Sequence, residues 1–383
     1  MGKRTLRTEL CDMLGIEYPI LSAGMGPTLI GEKTGAPVEL VVAVSEAGGL
    51  GVLGGSGFTV YELRSAIREI KAKTDKPFGV DLLLPKYMAM DAKDYAGADQ
   101  LPLREVLKTL PKPHQEWIAK VKADMGLPEV EVTLKLNTTT ARPKESVAVC
   151  IEEGVPLFCA GLGNPGFMVE EAHAVGMKVL GITGIAKNAR RMAESGVDLI
   201  VAQGHEGGGH TGRIGTMALL PQAIDAAAPV PVLAAGGIGD GRGLAAALAM
   251  GCIGVWVGTR FLVTEEGGAL DINKRKIINS TDEDTRVSTA YTGKTLRASL
   301  NVYHKLWDES GLDPLPFPMQ ILISSALLWS FVEAGKADYV GGLAGQVSGL
   351  IHDIKPARQV LEEMVEEAAD ILTKKLPASV IAK

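Results

Sequence analysis

Cysteine is scarce in this chain. There are four in 383 residues, Cys11, Cys150, Cys159 and Cys252, each in an apolar setting and none in a C-x-x-C pair. That excludes a disulfide scaffold and leaves small buried thiols. His114, His173, His304 and His352 share no metal-ligand spacing, so no metal site is expected. Basic residues are outnumbered 39 to 45, for a net charge of −6, and form no long run, which argues against a nucleic-acid partner. No apolar run approaches the ~20 residues of a membrane span, and the stretch 321–332 is too short. The opening residues, from Met1 to Arg7, are polar, so no signal peptide is expected. Leu6 stands where a myristoylation motif wants Ser or Thr. A cytoplasmic protein is the expectation. Finally, no G-x-G-x-x-G follows the first strand-like run, so a Rossmann nicotinamide site is not indicated.

What is abundant is glycine, 46 residues, together with an apolar content of 46%. Short apolar runs recur at 18–21, 50–53, 78–84, 155–159, 178–182, 199–202, 232–235 and 254–257. Amphipathic stretches such as 60–73, 165–176 and 186–196 lie between them, several ending in a glycine (Gly154, Gly176, Gly196, Gly251) that suits a helix C-terminus. Eightfold strand–helix alternation predicts an α/β TIM (β/α)8 barrel, with a doubly wound open sheet as the alternative. The chain is read as one domain, 1–383. The spacing breaks once, between Leu84 and Val155, where Pro-punctuated helical pieces at 103–110 and 113–125 predict a helical insertion, 86–135, after the third strand. Tyr87, Met88, Met90 and Tyr95 give its start an apolar, adaptable character. It leaves from the face where barrel sites open and is read as part of the substrate entrance. A helical C-terminal extension, 261–383, follows the eighth strand, its periodic segment 361–376 running from acidic to basic.

The densest signal is the stretch Gln203-Gly204-His205-Glu206-Gly207-Gly208-Gly209-His210-Thr211-Gly212, directly after the sixth run. So many glycines point to a backbone that must approach something closely. Two similar loops follow the seventh and eighth runs, at Gly236-Gly237 and at Gly258-Thr259. In a TIM barrel those loops commonly hold phosphate. Glycine amides, a threonine hydroxyl and the helix start at Asp240 could take a phosphate without a lysine. One phosphate suits FMN better than a dinucleotide. Of the two loop histidines, His210 is the candidate proton-transfer group, since imidazole titrates nearest neutral pH. His205 is read as the outer, exposed one.

These residues resemble the nitronate monooxygenases, the former 2-nitropropane dioxygenases, a family of FMN-dependent TIM barrels related to class II enoyl-ACP reductases. The resemblance rests on the segment from Tyr18 to Met25, Ala47-Gly48-Gly49-Leu50-Gly51, Pro77-Phe78-Gly79-Val80-Asp81-Leu82, the loop from Gln203 to Gly212, Ala235-Gly236-Gly237-Ile238, Gly258-Thr259-Arg260-Phe261, and Ala344-Gly345-Gln346-Val347-Ser348-Gly349. It implies that Ala23, Gly24 and Met25 lie along the flavin ring and that Gln203, Gly208, Gly209 and Gln346 contact the flavin. It further implies that Gly236, Gly237, Gly258 and Thr259 bind the phosphate and that His210 is catalytic. The reaction implied is oxidation of alkyl nitronates with O2 to a carbonyl compound and nitrite. The alternative is an NAD(P)H-dependent FMN reductase acting on an enoyl thioester or a quinone. Ser22 stands where the family commonly has Gln, Asp81 where it has Asn, Leu83 where some members have a polar residue, and no lysine follows the fifth strand. No lysine clamp for an anion is apparent. A small-molecule substrate is expected, with O2 or NAD(P)H as second substrate, and homodimerisation is left open.

Overall fold

The computed structural model describes residues 6–27, 32–84, 100–135 and 142–380. Eight parallel strands form its centre: β1 (Ile20–Ser22), β2 (Gly51–Gly54), β3 (Phe78–Leu83), β4 (Leu157–Gly161), β5 (Lys178–Thr183), β6 (Leu199–Gln203), β7 (Val232–Ala235) and β8 (Gly254–Val257). Each follows the previous one around a single sheet, and β8 returns to pair with β1. A parallel bridge from Leu21 to Leu50 joins β1 to β2 and closes the ring. Closure excludes the open-sheet alternative. Ser22, an oddity in the sequence, contributes to it: its hydroxyl accepts a bond of 3.2 Å from the Val52 amide.

The strands are nearly continuous apolar runs because both faces are covered. Leu21, Leu50, Leu157, Leu180, Leu199, Val201, Leu233 and Trp256 fill the barrel, and the helix Glu9–Leu14 closes its lower end with Leu10, Cys11 and Leu14. The other strand face packs against the surrounding helices. These start and stop where the sequence says they should. Val60–Lys73 opens on a capping box, Thr59 Oγ1 accepting from the Glu62 amide and Glu62 returning to the Thr59 amide. Gly196 takes φ +85° after Ala186–Glu194.

Two segments stand above the C-terminal mouth. The described part of the insertion, with helices Leu103–Leu107 and Lys112–Met125, also carries the short strands Gln100–Pro102 and Thr133–Lys135. The apolar cluster at 87–95 lies outside the described residues. The insertion packs Leu103, Val106, Ile118 and Val121 against Tyr291, Trp307, Leu327 and Phe331 of the chain after β8, so the two segments share one apolar core and form a cap. The segment after β8 is not wholly helical. Strands Thr285–Ser288 and Leu296–Ser299 pair antiparallel, and the second pairs with Gly209–His210 of the β6 loop. The chain then returns to the barrel. Arg260, buried after β8, clasps Asp353 at 3.1 Å and the carbonyls of Val263 and Asp353. Ala357–Asp370, read from the sequence as part of a tail, packs between Gly241–Ala249 and Val38–Glu46 and serves as the barrel's eighth helix. A backbone this close permits no side chain at Gly241, where a Cβ would lie 2.6 Å from the Ala368 amide.

Candidate active site

The C-terminal ends of the strands open into a cavity of about 1350 Å³ beneath the cap. Single-ligand pockets are usually about 300–1,000 Å³, so there is room for a cofactor and a second molecule. Ala23, Gly24, Met25, Gln203, Gly208, Gly209, His210, Gly236, Gly237, Gly258 and Thr259 all line it. Gln346 does not: its side chain is exposed at the start of the turn Gln346–Leu350, while its neighbours Gly345 and Val347 face inward. The Gln346 amide instead donates to the Glu206 carbonyl at 2.9 Å.

On the β1 side, Gly24 is dictated by Asp81. A Cβ at Gly24 would fall 2.2 Å from Asp81 Cβ. Asp81 is buried, and its Oδ1 has no partner among the described residues. Burial pushes its carboxyl well above the usual range, opposed by the Gly161 amide, and it stands in the cavity wall.

On the opposite side the glycine loops have two different purposes. A Cβ at Gly204 would collide with Thr216 Oγ1 at 1.9 Å, and one at Gly208 would meet the Ala344 carbonyl carbon at 2.7 Å. At Gly204 and Gly208 the missing side chain lets protein pack on protein, while Gly207, Gly208, Gly209 and Gly212 also present backbone to the cavity. Gly236 and Gly237 both hold positive φ, +85° and +77°; a Cβ at Gly236 would lie 2.8 Å from the Gly204 carbonyl, whereas at Gly237, which lines the cavity, the nearest atom is 3.6 Å away. Thr259 Oγ1 accepts from the Gly345 amide at 2.9 Å, which leaves its own proton free to donate. The helix Gly241–Ala249 is not available for an anion. Asp240 already takes the amides of Arg242 and Gly243, and Glu367 takes that of Gly241. Glu206 likewise caps Thr216–Ala227, both carboxylate oxygens bonding the Thr216 amide at 3.0 and 2.9 Å.

His210 is held by the cap. Its strand partner is Leu296, and its Nε2 lies 3.0 Å from Thr292 Oγ1. The Thr292 hydroxyl has its own acceptor, the Lys294 carbonyl at 3.3 Å, so Nε2–H donates to it and Nδ1 keeps its lone pair. The ring meets Phe317 edge-on, centroids 5.9 Å apart. Burial, aided by the Lys294 charge, lowers the His210 pKa to about 4, so the imidazole is neutral at physiological pH. His205 is not an exposed outer residue. It is partly buried, and its Nδ1 donates to the Gly212 carbonyl at 2.7 Å, tying the loop to itself. Arg297 holds the His205 carbonyl at 3.1 Å. Thr292, Lys294, Thr295, Phe317, Ile321 and Leu322, all from the cap, line the same cavity and were invisible as site residues in the sequence. Among the described residues no cluster of His, Cys, Asp or Glu could hold a metal ion. No helix among them is long and apolar enough to cross a membrane.

A closed eight-stranded βα barrel with a capped mouth, a partly buried neutral histidine and glycine-lined strand ends defines a TIM-barrel enzyme. The family model for nitronate monooxygenase matches residues 7–367, and the chain belongs to that family of oxidoreductases. A Mycobacterium tuberculosis protein described as a monooxygenase candidate is 35% identical over 95% of this chain and 97% of its own length. A probable nitronate monooxygenase of Staphylococcus saprophyticus is 31% identical, covering 96% of this chain and 99% of its own. Among solved structures, FabK from Thermotoga maritima superposes with a TM-score of 0.74 at 31% identity, covering 98% of this chain and 100% of its own. A nitroalkane oxidase from Streptomyces ansochromogenes gives a TM-score of 0.77 at 26% identity, covering 95% and 99%.

Proposed function

We propose that this protein is an FMN-dependent nitronate monooxygenase, oxidising small alkyl nitronates with O2 to a carbonyl compound and nitrite. The observation that carries the reading is His210: a neutral imidazole, fixed by Thr292, facing a cavity that glycine backbone also lines. The residues suit FMN. Gly237 has room that a Cβ would take up, Gly236 beside it keeps its backbone at the cavity, Thr259 adds a hydroxyl, and no positive side chain is needed for a single phosphate. Ala23, Gly24, Met25, Gln203, Gly208 and Gly209 would lie along the ring, and Asp81 supplies an unspent carboxyl beside it. Bound FMN would accept an electron from the substrate and bring it to O2. The chain's own part is to bind, orient and shield. The cap keeps water from the site, and Phe317 gives an apolar wall. His210, too weak a base to strip a proton from a neutral nitroalkane readily, would accept a hydrogen bond at Nδ1.

The cavity volume favours one alternative, a reductase with NAD(P)H as the second molecule and an enoyl thioester or quinone as acceptor. Anaerobic mixing separates the two. Bleaching of the flavin by ethyl nitronate, followed in air by nitrite release, supports the monooxygenase. Bleaching by NADH or NADPH, with none by the nitronate, sinks it.

A further inference from the structure

The sequence offered no cation for an anionic substrate, yet Lys33, Arg191 and Lys294 all line the folded cavity, and of these Lys294 stands beside His210. Lys294 lies in the tight turn between the two cap strands Thr285–Ser288 and Leu296–Ser299 and lines the cavity with His210, Thr292, Thr295 and Phe317. Its Nζ sits 5.0 Å from the centre of the Phe317 ring, the same ring that His210 meets edge-on. The two residues are therefore brought together around one aromatic side chain, and the Lys294 charge acts on the His210 imidazole. Lys294 forms no ion pair among the described residues. Burial alone acts on its ammonium, lowering its pKa, and no acidic neighbour offsets that. Of the carboxyls lining the cavity, Glu206 is consumed by Thr216, Asp81 belongs to the β3 wall, and none acts on Lys294. A half-buried ammonium with no counter-charge is costly unless something anionic completes it.

We propose that Lys294 is the substrate-binding cation of this enzyme and that its ammonium receives the paired oxygens of a small planar anion. Resting on the nitronate reading above, this makes the substrate the pre-formed nitronate rather than the neutral nitroalkane. The complementarity is specific. A nitronate spreads its charge over two oxygens. The Lys294 ammonium has three protons to donate to these oxygens. The Phe317 face then covers the alkyl carbon, away from water. A neutral nitroalkane would leave the ammonium uncompensated, and the same site would discriminate against it.

The test uses the holoenzyme with Lys294→Met and Lys294→Arg. The probe is propionate, a non-reacting planar anion, titrated against the flavin absorbance, alongside FMN affinity and steady-state oxidation of ethyl nitronate. Lys294→Met is expected to bind propionate about 10- to 100-fold more weakly. It should raise KM for the nitronate more than it lowers kcat and leave FMN affinity within about twofold. Lys294→Arg should retain part of the propionate affinity. Equal propionate binding by Lys294→Met and the parent, no detectable binding by the parent, or loss of FMN from the variant overturns the assignment. The propionate titration needs no turnover. If the parent proves to be a reductase, the function falls while the anion site is still judged.

Discussion

At the scale of single residues, the β6 loop separates two histidines that look interchangeable in the sequence. His210 faces the cavity with Nδ1 free, whereas His205 spends its Nδ1 on the Gly212 carbonyl. His210→Asn is therefore expected to keep FMN and slow nitronate oxidation by roughly 10²-fold. His205→Asn should cost only a few-fold. Measured kcat/KM for both in one assay decides it, and a larger effect at His205 would reverse the assignment. The phosphate loop can be tested with a matched control. Gly237 and Gly176 share nearly the same backbone, φ +77° and +79°, and neither would meet another atom closer than 3.6 Å on gaining a Cβ. Valine at either position imposes a similar conformational penalty, of order 1–2 kcal/mol. Only at Gly237 does it also project into the proposed phosphate site. Gly237→Val should weaken FMN binding at least tenfold, while Gly176→Val should not. Equal FMN affinities in the two variants would move the phosphate elsewhere.

At the scale of elements, the barrel was legible and the cap was not. Every β strand of the barrel falls within a residue or two of an apolar run, because a strand buried on both faces must be apolar throughout. The strand-end glycines and His210 followed from the same reading. The cap strands Thr285–Ser288 and Leu296–Ser299 are short and polar, and their partner for His210 is remote in sequence, so no local pattern marks them. For the same reason Lys294 and Phe317 escaped notice. The helix Ala357–Asp370 had the right periodicity, but the cap stands between it and β8 and hides its place in the ring. Gln346 was placed in the site by resemblance, and only the turn geometry shows which of its neighbours face inward. The cap's union of insertion and post-β8 chain gives a further prediction. Trp307 joins them, its ring 5.3 Å from that of Trp117 and 6.4 Å from that of His114. Trp307→Ala removes a buried aromatic at a cost of about 3–5 kcal/mol. The cap should loosen over an intact barrel, raising KM for the nitronate and exposing 100–135 to limited proteolysis with FMN retained. Unchanged KM together with a changed mass in solution would instead make the insertion a dimer contact.

At the scale of the whole molecule, stability against acid is set by groups the fold buries without their usual charge. His304 lies in the cap against Tyr291, centroids 5.4 Å apart, and neither ring nitrogen has a partner among the described residues. Burial, together with the Arg286 charge, lowers its pKa to about 4. His210 is lowered similarly. Both are neutral in the folded and unfolded chain at pH 8, and neither then affects the balance. Below about pH 6.5 the unfolded chain binds a proton that the folded chain refuses until near pH 4. Folding stability is therefore lost as pH falls through that window, by up to about 3 kcal/mol for each histidine. Asp81 acts with the opposite sign. Its folded pKa is raised, so its penalty is greatest at high pH and is relieved as acid protonates the unfolded carboxyl too. The two effects are separable by substitution. His304→Gln, which cannot titrate, should lose less stability than the parent between pH 7.5 and pH 5, read as urea unfolding midpoints. Asp81→Asn should gain most at pH 7.5, and the gain should shrink toward pH 4. If the parent and His304→Gln show the same acid slope, the cap histidine is not the group that the falling pH is charging.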